Sequence, residues 1–74
     1  MNAQRRKQLA EAITLLYKAQ EIIEWIKDEE EEAYDNLPES IQYSDRGEQM
    51  SDNVDNLGDI SDNLIDYTTT LEEM

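Results

Sequence analysis

Asp52, Asp55, Asp59, Asp62 and Asp66 recur at steps of three and four through SDNVDNLGDISDNLID, residues 51–66. Residues three and four apart are neighbours on a helix surface, so this spacing draws five carboxylates into one stripe. Such carboxylates can share a cation, exchange protons with a substrate, or present a line of charge to a basic surface. A second acidic cluster, Glu29, Glu30, Glu31 and Glu32 with Asp28 and Asp35 beside it, stands before the middle of the chain. The chain has no Cys and no His. That excludes thiol nucleophiles, imidazole acid–base chemistry, disulfides and zinc sites of the usual ligand set, and no cofactor is implied.

The elements that must position these groups follow from apolar periodicity. With Leu9 at heptad position a, Leu9, Leu16 and Ile23 occupy a, and Ala12, Ala19, Ile26 and Ala33 occupy d. Ile13 falls at e, with Leu15 and Ile22 at g. The pattern predicts one helix over about residues 3–35, about 50 Å long at ~1.5 Å per residue. Its apolar face spans four heptad columns, more than a two-helix seam covers, which suits a helix with several neighbours.

Asn36-Leu37-Pro38 ends that helix, because the residue before a proline leaves the α region and proline fits only a first turn. Residues 38–42 can form one short helical turn, and Ser44 or Asp45 offers an N-cap, with Glu48 at capping-box spacing from Asp45. From there Met50, Val54, Leu57, Ser61, Leu64, Thr68 and Leu71 form an unbroken heptad seam. A second helix is therefore expected over about residues 45–73, after a turn over about 36–44. Its Asp, Asn, Ser, Thr and Gly content is poor for a helix, so it should need its partner to fold.

Folding the chain back on itself pairs positions whose numbers sum to about 81. Gln20 then meets Ser61 as a polar pair in the seam, Ile23 lies near Gly58, Leu16 near Ile65, and Leu9 near Glu72. Gly58 is expected as a close-approach site, Glu72 and Glu73 as neighbours of Arg5 and Arg6, and Tyr34 and Tyr43 as packing for the turn. The expected fold is all-α: residues 1–74 as a single antiparallel helical hairpin, dimerising into a four-helix bundle of coiled-coil type. A chain of 74 residues without disulfides buries little core alone, so a homo-oligomer is the default. Leu15, Ile22 and Trp25 form a lateral apolar patch outside the seam and are the expected oligomer interface.

In the second-helix register the aspartates fall at f and b, pointing away from the seam. A solvated outer face is the ordinary reading of such a charge run. Against it, Glu is the better helix former, and Asp holds its charge closer to the backbone in a more rigid line. Such a line can imitate phosphates in front of a nucleic-acid-binding protein. With 19 acids against six bases the net charge is −13, and residues 37–74 contain ten of the acids and only one base, Arg46. The field attracts basic proteins and repels nucleic acid and anionic membranes. Arg5, Arg6 and Lys7 precede an apolar region in the manner of a signal peptide, but Gln8, Glu11, Thr14 and Lys18 interrupt it at helical period. The expectation is a soluble, cytoplasmic protein.

Two resemblances bear on function. The motifs YDNLPES, SDRGEQM and the DNL repeats at residues 55–57 and 62–64 resemble those of a group of small uncharacterised acidic helical proteins of phages and prophages. That resemblance implies phage origin and, by size and charge, an inhibitor of a basic host or defence protein. Glu21-Ile-Ile-Glu24 or residues 29–32, followed by Asp52-Asn-Val-Asp55, is loosely similar to the ExxE and ExxD pattern of all-α nucleotide pyrophosphatases, which hold Mg²⁺ within a four-helix bundle. Outward-facing Asp52 and Asp55 count against that chemistry. An EF-hand is excluded, since Leu57 stands where a ligand is needed before Gly58 and no Glu follows at the required place. The resulting expectation is a non-enzymatic acidic binding protein, an inhibitor or nucleic-acid mimic; a structural or assembly module and an Mg²⁺-dependent pyrophosphatase-like enzyme are the alternatives.

Overall fold

Asn2 starts the first helix by accepting the Arg5 backbone N–H on its side-chain oxygen at 2.8 Å. In the computed structural model, which describes residues 1–74, helix α1 then runs over Ala3–Asp35. Asn36 closes it in right-handed geometry, and the Gln42 side chain donates to the exposed Tyr34 carbonyl at 3.1 Å. A single turn, α2, covers Glu39–Gln42 immediately after Pro38. Helix α3 covers Asp45–Glu72 and is capped by Ser44, whose hydroxyl accepts the Gly47 N–H. Of the two caps the sequence offers, Ser44 is used, so the spacing from Asp45 to Glu48 does not form a capping box.

The molecule is an antiparallel hairpin measuring 58 × 14 × 13 Å. On α3, Met50, Val54, Leu57, Ser61, Leu64, Thr68 and Leu71 are the half-buried or buried side chains of one stripe, the a and d columns. Helix α1 answers with Leu9, Ile13, Leu16, Gln20, Ile23, Lys27, Glu30 and Tyr34, all half-buried. These are its a and e columns. The d and g columns, apolar from Ala12 to Ile26, turn aside, and Leu15, Ile22 and Ile26 are exposed there.

The hairpin has no buried apolar side chain; its buried side chains are Ser61 and Thr68, each 1 % exposed. Thr68 is satisfied within its own helix, donating to the Leu64 carbonyl at 2.6 Å. Two layers of one helix each cannot enclose a core, so the seam is a partly wetted strip.

Close approach occurs at Gly47, not Gly58. A Cβ on Gly47 would lie 2.5 Å from the Gln42 carbonyl carbon and closer still to the carbonyl oxygens of Ile41 and Gln42. A Cβ on Gly58 would meet only Lys27 Cδ at 3.7 Å, an ordinary contact. One further expectation is corrected: Tyr43 is 77 % exposed and does not pack the turn. Glu72 lines one groove with Arg6 and Leu9, as the pairing predicts, and accepts from the Tyr17 hydroxyl without a salt bridge to Arg5 or Arg6.

Candidate functional site

The seam register sorts the hairpin surface into two unlike flanks. On α3 the e and b columns border one side of the seam and the g and c columns the other. Every carboxylate of α3 lies at b, e or f, and none at c or g. On the first flank Asp55, Asp59 and Asp62 line a shallow open groove with Lys27, Glu31, Val54 and Gly58. The cross-helix bond from Tyr17 to Glu72 lies on this side as well.

All five aspartates of the stripe are exposed. The sole salt bridge of the hairpin joins Lys27 to Glu24 at 3.2 Å, so Lys27 borders the groove of Asp55, Asp59 and Asp62 without a salt bridge to any of them. The stripe thus runs along the outside of α3 with no ion pair of its own, at ~5 to 6 Å steps.

The other acidic cluster divides. Glu30 enters the seam and accepts from the Asn53 side-chain amide at 3.1 Å, whereas Glu29, Glu31 and Glu32 stay exposed. Glu31 alone of the four joins the groove of the aspartate stripe.

A polar chain crosses the middle of the seam. Gln20 donates to Ser61 at 2.9 Å, Ser61 donates to Glu24 at 2.7 Å, and Lys27 donates to the other Glu24 oxygen. The Ser61 hydrogen bond, and after it the Lys27 partner, holds the Glu24 carboxyl below its ordinary range. Glu24 in turn raises the Lys27 ammonium. The hydrogen bond to Glu72 raises the Tyr17 phenol, because the neutral hydroxyl is the donor.

For shared-cation chemistry the carboxylates do not converge: no three of them come together as a metal-binding group. Glu24 is committed to Ser61 and Lys27, across the seam from outward-facing Asp52 and Asp55. The ExxE and ExxD pattern therefore has no common focus here.

The second flank carries the apolar surface. Leu15 is 67 % and Trp25 68 % exposed, and Ile22 and Ile26 are exposed beside them. On α3 the g column contributes Ile60 and Tyr67, both exposed. The Asn53 bond to Glu30 marks this side of the seam. Sequence reading named Leu15, Ile22 and Trp25 but missed Ile26, Ile60 and Tyr67 as parts of the same surface. No helix is long and apolar enough to cross a membrane. The chain matches no protein-family model, no curated protein and no solved structure.

Proposed function

We propose that this protein is a non-enzymatic binding module, a dimeric four-helix bundle whose outward aspartate stripe docks on a basic protein surface. The observation that carries the reading is the row of five exposed aspartates with no base of the chain paired to any of them. Short side chains hold that charge in a line, the form in which lysines and arginines of nucleic-acid-binding proteins meet phosphates. The module then acts as an inhibitor or nucleic-acid mimic. Its resemblance to phage and prophage proteins makes the target a basic host or defence protein.

The test is capture from a bacterial host lysate with the wild-type chain and with an Asp55→Asn, Asp59→Asn, Asp62→Asn variant, followed by mass spectrometry. The expected result is a basic protein retained by the wild type, released by salt and by double-stranded DNA, and lost with the variant while helicity is unchanged. Retention unaffected by the three changes removes the stripe from the mechanism.

A second reading, an assembly module without a recognition role for the stripe, is favoured by the absence of any buried apolar side chain in the hairpin. It requires that changes at Leu15 and Trp25 abolish function while the aspartate changes do not.

A further inference from the structure

The apolar flank is built around a centre of symmetry. On α1 its d and g columns read Arg5, Gln8, Ala12, Leu15, Ala19, Ile22, Ile26, Glu29 and Ala33. Ala19 stands at the middle, with small and large side chains balanced about it: Ala12 against Ile26, and Leu15 against Ile22. The columns carry Arg5 toward one end and Glu29 toward the other, charges of opposite sign. On α3 the apolar members of the g column are Ile60 and Tyr67, whose midpoint falls at Asn63 or Leu64, and Arg46 and Asn53 continue the column toward the turn. The Gln20 to Ser61 hydrogen bond sets Ala19 at the level of Asp62, within two residues of that midpoint. The two helices thus have their midpoints at one height.

We infer that a second copy of this chain covers this flank about a twofold axis perpendicular to the helices, so that α1 packs antiparallel on α1 of the partner and α3 on α3. The inference rests on the four-helix bundle proposed above and specifies its geometry. Ala19 meets its own copy, Ala12 meets Ile26 of the partner subunit, Leu15 meets Ile22 of the partner subunit, and Ile60 meets Tyr67 of the partner subunit. An isologous interface requires this self-complementarity.

Charge selects this axis over the alternative. Helix α1 has no acid in its first turn and no base in its last, with Arg5, Arg6 and Lys7 at one end and residues 29–32 at the other. Within the hairpin this order runs against the helix dipole and no salt bridge relieves it. Antiparallel packing of α1 on its copy brings the basic end of each against the acidic end of the other. A twofold axis parallel to the helices would instead gather both acidic ends at one end of the bundle. A copy that covers the whole of this side of the hairpin, 58 by 14 Å or roughly 800 Å² with the charged ends included, reaches the per-partner area of a standard interface. Its α3 edge is free of carboxylates in a chain of net charge −13.

Ala19→Cys tests the arrangement cleanly, because the chain has no other cysteine. Under mild oxidation the variant is expected to form a disulfide-linked dimer nearly completely, while an Asp59→Cys control on the outer face does not. Arg5→Glu is expected to raise the dimer dissociation constant about tenfold, and adding Glu29→Arg to restore it. Sedimentation of the unmodified chain separates the two levels of the argument. A monomer overturns the bundle itself. A dimer in which Ala19→Cys does not cross-link, or in which the charge swap gives no rescue, overturns the antiparallel axis alone.

Discussion

Gln20 and Ser61, one on each helix, meet across the middle of the hairpin through a 2.9 Å hydrogen bond. Ser61 is the pivot of this contact, since the same hydroxyl donates to Glu24 and is 1 % exposed. A polar pair at this point sets the register of the two helices, because sliding either one leaves Ser61 buried without a partner.

Ser61→Ala is therefore expected to destabilise the fold. Loss of a buried hydrogen-bonding group costs about 1 kcal/mol, and the better helix propensity of Ala returns only a few tenths. Without the Ser61 donor the Glu24 carboxyl should titrate closer to its ordinary range. Urea denaturation and NMR titration of Glu24 check the two effects. Because the folded-state Glu24 value is lowered, its contribution is present above the unfolded carboxylate value and is lost as pH falls through the folded one. The difference in stability between wild type and Ser61→Ala should shrink across that acid window.

The two glycines should respond to alanine with opposite sign. Gly58→Ala gains about 1 kcal/mol of helix propensity, and its Cβ meets only Lys27 Cδ at 3.7 Å. Gly47→Ala drives a Cβ into the carbonyls of Ile41 and Gln42, which are backbone and cannot rotate away. Overpacking of this kind costs about 1–3 kcal/mol. Urea midpoints above wild type for Gly58→Ala and below it for Gly47→Ala are expected. Equal gains would show that the α2 turn moves aside freely.

Tyr17→Phe removes the hydroxyl that reaches Glu72. The folded-state phenol value is raised, so this contribution is present below the unfolded tyrosine value and disappears as pH rises through the folded one. Wild type should exceed Tyr17→Phe in stability at neutral pH and converge with it at the alkaline end. Guanidine unfolding of both proteins across that range measures the difference, and a gap that persists in strong alkali would exclude the phenol as its source.

The limits of sequence reading are physical and can be placed on particular residues. Helix α3 offers a single apolar seam, Met50 to Leu71 at steps of four and three, so periodicity identified the face it turns to α1. Together with Pro38 and the Ser44 cap, that seam made the hairpin and the Gln20 to Ser61 pair legible. Helix α1 has apolar residues in four columns, and periodicity cannot choose among them. The choice fell on a and e because those columns carry Gln20 and Glu30, which pair with Ser61 and Asn53. Gly47 was missed because its constraint comes from α2 carbonyls brought close only by the tight turn. A glycine three residues after the Ser44 cap was the available signal. The outward direction of the aspartates followed from the register.

Salt should act with opposite sign on the two surfaces. The proposed dimer would bring together two chains of net charge −13 each, with only the α1 ends offsetting this through opposite charges. Salt shortens the Debye length from ~10 Å at 0.1 M to ~3 Å at 1 M. Over a molecule 58 Å long, screening then relieves the summed repulsion more than it weakens the few end pairs. The hydrophobic contribution of Leu15, Ile22 and Ile26 is not diminished by screening. The dimer should therefore tighten several-fold between about 0.05 and about 0.5 M salt. The proposed docking of the aspartate stripe on a basic protein would depend on attraction across an exposed surface, and the same change should weaken it at least about tenfold. Asp55→Asn, Asp59→Asn and Asp62→Asn together reduce the charge on both processes, so both salt slopes should flatten. Sedimentation equilibrium measures the first slope and binding of the captured target the second. A dimer that loosens with salt would mean that ion pairs, rather than the apolar flank, hold the two copies together.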